Sequence, residues 1–264
     1  MSHPPSNRFA HGFTLMELLV VIVLFGTLSA LGFQGFRAAR TRANQAVSAA
    51  NLRQLVAANL LYATDHQTYC PTDLDGHNLV RWHGARRTPG APFDPAEGLL
   101  ADYLGESRVI GRCPELEHLL SAEAFNENGS GGYGYNTAYI GTDPFVRPER
   151  GQSNPSCRPA NVNNPAGTLM FATVAFAVAG GLQDYSSADP PRAVDSGGRL
   201  GIQLQPSIHF RFNGKALIGW CDGHVSEEVP SSWGEITYKG GDNKAAKTGF
   251  CGPLENNGWW NPRN

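Results

Sequence analysis

Gly12-Phe13-Thr14-Leu15-Met16-Glu17-Leu18-Leu19-Val20-Val21-Ile22-Val23-Leu24 opens an apolar run that reaches Phe36, and Glu17 is its only charged side chain. As a helix, Phe13 to Phe36 would cover roughly 36 Å, against about 30 Å of hydrocarbon in a bilayer. The spacing therefore predicts a membrane-spanning helix over residues 13–36. A carboxylate within such a helix is expensive in lipid and generally has a partner and a task. A secretory signal peptide fits poorly. Its apolar stretch is about 7–15 residues long and its cleavage site follows that stretch. Here the stretch is longer, and a short polar leader with Pro4, Pro5, Asn7, Arg8 and His11 precedes it and ends at Gly12.

The string Gly12 to Leu24 resembles the cleavage and methylation segment of the type IV prepilin family, which includes the pseudopilins of type II secretion. The resemblance implies that a prepilin peptidase cuts between Gly12 and Phe13 on the cytoplasmic side. It also implies that the new amino terminus at Phe13 is methylated and that the apolar helix is kept. Residues 1–12 are then a cytoplasmic leader, and Glu17 is the family's assembly glutamate. The implied partners are the prepilin peptidase, other pilin-like subunits met through the N-terminal helix, and the lipid of a bacterial inner membrane. The implied location is single-pass, with the C-terminal head in the periplasm or carried in a filament.

Once Phe13 carries a free amine, a carboxylate four residues on could approach it within one subunit. It could equally meet the amine of a neighbour, and either pairing would cancel two charges in a low-dielectric setting. The alternative is an unpartnered Glu17 at the headgroup boundary. The basic residues argue the other way on orientation. Arg8 is the only Lys or Arg before the span, while Arg37, Arg40 and Arg42 follow it, which alone would put the C-terminal side in the cytoplasm. The side from which the leader is cut decides for the opposite topology.

The helix is expected to outrun the membrane. From Arg37 to Asp65 there is no Gly or Pro, and Val47, Leu52, Leu55, Val56, Asn59, Leu60 and Tyr62 put most apolar groups on one broad face. Residues 37–65 then form an amphipathic continuation packed under the head. Gly26, Gly32 and Gly35 are small-residue packing surfaces, points of bending, or simply the glycine that membrane helices carry more often than soluble ones.

Residues 66–264 read as a globular, loop-rich head. The expected fold is α+β and pilin-like: a long N-terminal helix packed against an antiparallel sheet. The 31 Gly and 18 Pro point to long surface loops at 141–165 and 180–201. Thr168 to Ala177 is apolar and β-prone, suited to a central strand and too short for a second span. Ser207–Phe212 and Lys215–Cys221, joined by Asn213-Gly214, predict a hairpin with a type I′ turn. Asp222-Gly223-His224-Val225 predicts a second tight turn.

That second stretch resembles the C-terminal signature of a large subgroup of prepilin-like proteins, a His, nine residues and Asp-Gly. Asp222 and Gly223 match it, but the His position is Phe212 and the nearest His is His209. Asn51-Leu-Arg-Gln-Leu55, Arg112-Cys113-Pro114 and Tyr133-Gly134-Tyr135-Asn136 are similar to further pieces of the subgroup.

The net charge of −2 leaves no basic footprint for nucleic acid. Cys70, Cys113, Cys157, Cys221 and Cys251 contain no CxxC pair, and their odd number leaves a thiol free or bridging chains. Their connectivity stays open. Asp73-Leu-Asp75-Gly76 lacks the remaining ligands of a calcium loop, and His77 and His83 have no further ligand spacing around them. No catalytic motif of the GxSxG, HExxH or P-loop type occurs, so no catalytic residue, cofactor or metal is expected. A nucleophile or metal site at Cys221, Asp222, His224 and His209 remains the minor reading. Trp82, Trp220, Trp233, Trp259 and Trp260 are read as core or subunit contacts before a sugar-stacking platform. The competing function is a membrane-anchored binding head, for polysaccharide for instance, with no filament role.

Overall fold

A computed structural model describes residues 13–74, 76–120, 130–146, 155–238 and 240–264, without the side chains of 30–35, 37 and 38. The leader, Gly12, Asp75 and Pro148 lie outside the described residues. The chain divides after Ala43 into two compact units.

Helix α1 spans Leu15–His66. It carries Gly26 in its interior and ends where Gln67 takes a positive φ of 61°, the left-handed turn that closes many helices. In the first unit the side chains from Phe13 to Ser29 are all exposed. Among the described residues no helix is long and apolar enough to cross a membrane. The described side chains run unbroken from Phe13 to Ser29, and residues 30–35 of the expected span lie outside the described side chains.

The second unit begins at Asn44. Among the described residues it contains a short helix, α2 (Pro114–Glu117), and thirteen short strands: β1 (Val80–Arg81), β2 (Gly84–Ala85), β3 (Tyr133–Tyr135), β4 (Leu169–Thr173), β5 (Phe176–Val178), β6 (Gly181–Gln183), β7 (Arg192–Val194), β8 (Leu200–Gln203), β9 (Ile208–His209), β10 (Ala216–Trp220), β11 (Val225–Glu228), β12 (Pro230–Ser232) and β13 (Thr248–Cys251). Strand pairs are antiparallel throughout these elements. The central sheet has the order β11-β10-β4-β3 and a second sheet the order β12-β13-β9. The α+β architecture with an N-terminal helix and an antiparallel, loop-rich head is the one expected.

The central sheet is covered on both faces, which is why β4 and β10 are buried along their whole length and apolar except at Thr173. On one face Met170, Phe171 and Leu217 pack with Leu52, Leu55 and Val56 of α1. On the other, Ala172, Ile218 and Trp220 pack with Ile208, Phe210, Phe250 and Trp260. Leu52, Leu55, Val56 and Asn59 of the expected helix face are buried, whereas Val47 is exposed and buried Ser48 lies beside it. A Cβ on Gly219 would stand 2.6 Å from Val56 Cγ2. That glycine lets α1 lie directly on β10.

One expectation needs correction. The Asn213-Gly214 turn is present, with φ of 52° and 80° and a Phe212–Lys215 bridge across it. The long hairpin is not. Residues 208–209 pair with 248–249 of β13, while β10 pairs with β4 and β11. The chain before the turn is recruited by the second sheet, because Ile208 and Phe210 belong to the core between the sheets. In consequence His209 is buried in the head. It is 2% exposed.

Candidate functional site

The helix start is built from its own first residues. Thr14 precedes the first helical turn and Glu17 closes back on it. Thr14 N and Oγ1 both donate to Glu17 Oε2, at 2.9 and 2.8 Å, and Glu17 N donates to Thr14 Oγ1 at 3.2 Å. This is a capping box, in which two otherwise orphaned backbone donors are satisfied reciprocally. Thr14 was not singled out by sequence reasoning, although Thr-x-x-Glu before an apolar run is a readable signal for it. Both side-chain bonds fall on Oε2, so Oε1 stays available.

Around this cap the surface is apolar on every side. Phe13, Leu15, Met16, Leu18, Leu19, Ile22 and Phe25 are each more than half exposed. Nothing lies within 4 Å of a Cβ built on Gly26. The first unit therefore presents Phe13, the capped Glu17 and an uncovered apolar helix together. Gly12, the other processing residue, lies outside the described residues.

The signature residues of the head sit in turns that connect strands. Asp222, Gly223 and His224 form the turn between β10 and β11, with Gly223 at φ 103°. Trp220 N donates to His224 O and Gly223 N to Trp220 O, each at 3.0 Å. The His224 ring contacts Asp222 Oδ1 at 2.6 Å and stacks on Trp220 at 5.5 Å. Burial pushes the Asp222 carboxyl upward, but the hydrogen bonds from His224 outweigh it and hold the group below its ordinary range. Phe212, at the missing His position, is a core aromatic. Cys221 follows β10 and is a buried thiol. All five cysteines are buried and free.

The other pieces of the head signature converge on α1. Asn51 Nδ2 donates to Gly111 O at 2.9 Å and Tyr133 Oη at 3.1 Å. Ser48 Oγ donates to Cys113 Sγ at 3.2 Å. Asn136 Nδ2 donates to Leu169 O and Trp260 O, each at 2.9 Å. These residue types are explained as ties between helix, loop and sheet. Asp73 accepts from Gly76 N and Asn78 N, a turn cap. Trp82 and Trp260 are core, Trp220 packs edge-on to Trp259, and Trp233 packs edge-on to Phe210. Among the described residues no group of three or more His, Cys, Asp or Glu could hold a metal.

Residues 7–33 match the family model described as the prokaryotic N-terminal methylation motif. The chain is also 42% identical over 62 residues to the type IV wide pilus major component PilA4 of Thermus thermophilus, an alignment covering 24% of this chain and 47% of that protein. The chain thus spans about half the length of this curated relative. No solved structure matches. The amino-terminal segment is of the prepilin type, and the chain is pilin-like in that region.

Proposed function

We propose that this chain is a structural pilin-like subunit, cut between Gly12 and Phe13 by a prepilin peptidase and assembled through its N-terminal helix. The filament would be a type IV pilus or the related pseudopilus of type II secretion. The observation that carries the reading is the exposure of the apolar side chains from Phe13 to Leu28 inside a segment that matches the methylation motif. A helix that is apolar all round demands cover from lipid or from other helices. In this reading the inner membrane covers it before assembly, with the head outside in the periplasm, and equivalent helices cover it in the filament. Glu17 keeps its cap through Oε2, and Oε1 meets the Phe13 amine of a neighbouring subunit.

Amino-terminal sequencing of the membrane fraction tests the processing step. The expected sequence is Phe-Thr-Leu-Met-Glu with a methylated Phe13. A chain beginning near Phe36 would make the apolar run a discarded signal, and the proposal would fall.

A further inference from the structure

We infer that the head binds one ferric ion at the carboxyl end of α1, through Asp65, His66 and Tyr103. The Tyr103 phenol oxygen lies 3.0 Å from Asp65 Oδ2 and 3.3 Å from His66 Nε2. Three atoms with lone pairs thus converge on one point. Two ligands held by one ion at about 2.0–2.2 Å stand roughly 2.8–3.6 Å apart, from octahedral to tetrahedral angles. Both spacings fall in that range, so an ion enters with small side-chain shifts.

The donors can be reached from solvent. Asp65 and His66 are exposed, Tyr103 is half-buried, and the bond from its hydroxyl to Asp65 lies on the surface. The two rings are nonetheless held in place. Tyr62, one helical turn before His66, stacks on the imidazole at 4.1 Å and meets the Tyr103 ring edge-on at 5.5 Å. Tyr103 closes the turn Ala101–Tyr103, where its N–H donates to Leu100 O at 3.0 Å. Among the described residues no cation pairs with Asp65, whereas neighbouring Asp102 is taken by Arg108. The Asp65 charge is therefore left for a ligand.

The phenol selects the ion. It gives up its proton only at about pH 10 in water, so an ion bound at neutral pH must be a strong enough Lewis acid to displace that proton. Calcium and magnesium favour carboxylate, carbonyl and water oxygens. Ferric iron is a far stronger Lewis acid, and both tyrosinate and imidazole serve as iron ligands. On binding, the phenol proton passes to solvent, the imidazole keeps its proton on Nδ1, and water fills the remaining positions. The iron stays ferric throughout. Among the described residues no grouping of His, Cys, Asp and Glu alone supplies three ligands; here the third is a phenol. The alternative role for the cluster is a plain tie between the end of α1 and the turn at Tyr103.

Ferric citrate added to the full chain in detergent separates the two roles, and the outcome does not depend on the filament reading. A visible phenolate-to-iron charge-transfer band should appear and saturate at one iron per chain. Tyr103→Phe should remove the band. His66→Gln should weaken iron binding at least about tenfold, since changes to outer-shell partners already cost that much. If Tyr103→Phe lowers the thermal midpoint, His66→Gln at the exposed helix end decides alone. Tyr238→Phe, at an exposed tyrosine elsewhere on the head, should leave the band unchanged, and equimolar zinc sulfate should not displace the iron. No band, a band that survives Tyr103→Phe in a folded chain, undiminished binding in His66→Gln, a band lost in Tyr238→Phe, or iron displaced by equimolar zinc would each overturn the inference.

Discussion

Glu17 and Thr14 satisfy one another at the start of α1: the carboxylate takes the Thr14 N–H at 2.9 Å, and the Thr14 hydroxyl takes the Glu17 N–H at 3.2 Å. The carboxylate thus has a use within its own subunit as well as the one proposed between subunits. The two uses are separable by mutation. Thr14→Val removes the cap and leaves the charge. It should fray the first turn at a cost of about 0.5–2 kcal/mol and leave subunit cross-linking in membranes intact. Glu17→Ala removes both and should abolish the cross-linked ladder without preventing membrane insertion, because losing a charge eases insertion. Identical ladders in Glu17→Ala and the unaltered chain would leave Glu17 with the cap as its whole role. They would also favour an anchored binding head over a filament subunit.

Gly219 and Gly214 are glycines for different reasons, and substitution should reveal it. At Gly219 a side chain collides with Val56 of α1. Gly219→Val should cost about 1–3 kcal/mol by overpacking, and Val56→Ala in the same chain should recover part of that. At Gly214 the surroundings are open but φ is 80°. Gly214→Val should also cost about 1–3 kcal/mol, from backbone strain alone, with no recovery from Val56→Ala. Urea unfolding followed by tryptophan fluorescence measures both. A double mutant Gly219→Val with Val56→Ala no better than the single one would show that this contact does not set the helix–sheet spacing.

What could be read from the residues depended on how local the cause was. The apolar run after Gly12, the face Leu52, Leu55, Val56 and Asn59, and the turns at Asn213-Gly214 and Asp222-Gly223 follow from short-range pattern and backbone preference. The partner of β9 did not. Ser207 to Phe212 has an equally good pairing partner across the turn and at β13, and burial of Ile208 and Phe210 between two sheets decides for β13. No local pattern encodes that choice. The burial of Arg211 was invisible for the same reason. A charged residue between two phenylalanines in a strand reads as water-facing, and only the tertiary structure turns it toward the core.

The five thiols are buried and unpaired, and that state has a direct chemical test. Burial raises the thiols of Cys70, Cys221 and Cys251 well above the ordinary range and pushes Cys157 up to about 12. A thiol without thiolate character and without access reacts slowly. Iodoacetamide at pH 8 should modify none of the five in the folded chain and all five after denaturation without reductant. Mass spectrometry counts the adducts. Three or one in the denatured chain would mean that bridges form in the mature protein.

His83 gives the head an acid-side instability whose sign can be worked out. Its ring lies between Trp82 and Phe93, at 4.9 and 4.7 Å, and both ring nitrogens lack a partner. Burial first, then the charges of Arg81 and Arg86, push its pKa down to about 3. The unfolded chain titrates this group near the ordinary value of about 6.5. Between those values the unfolded state holds a proton that the folded state does not. Stability is therefore present above about pH 6.5 and is lost as pH falls toward 3, at up to ~1.36 kcal/mol per pH unit for one proton. His209 acts in the same direction. His83→Leu keeps an apolar side chain among the same rings and removes one of the two protons. Urea midpoints measured from pH 7.5 down to pH 4 should then fall less steeply in the variant than in the unaltered chain. Parallel slopes would mean that His83 picks up its proton in the folded head, and the burial of its ring between Trp82 and Phe93 would not be the source of the acid sensitivity.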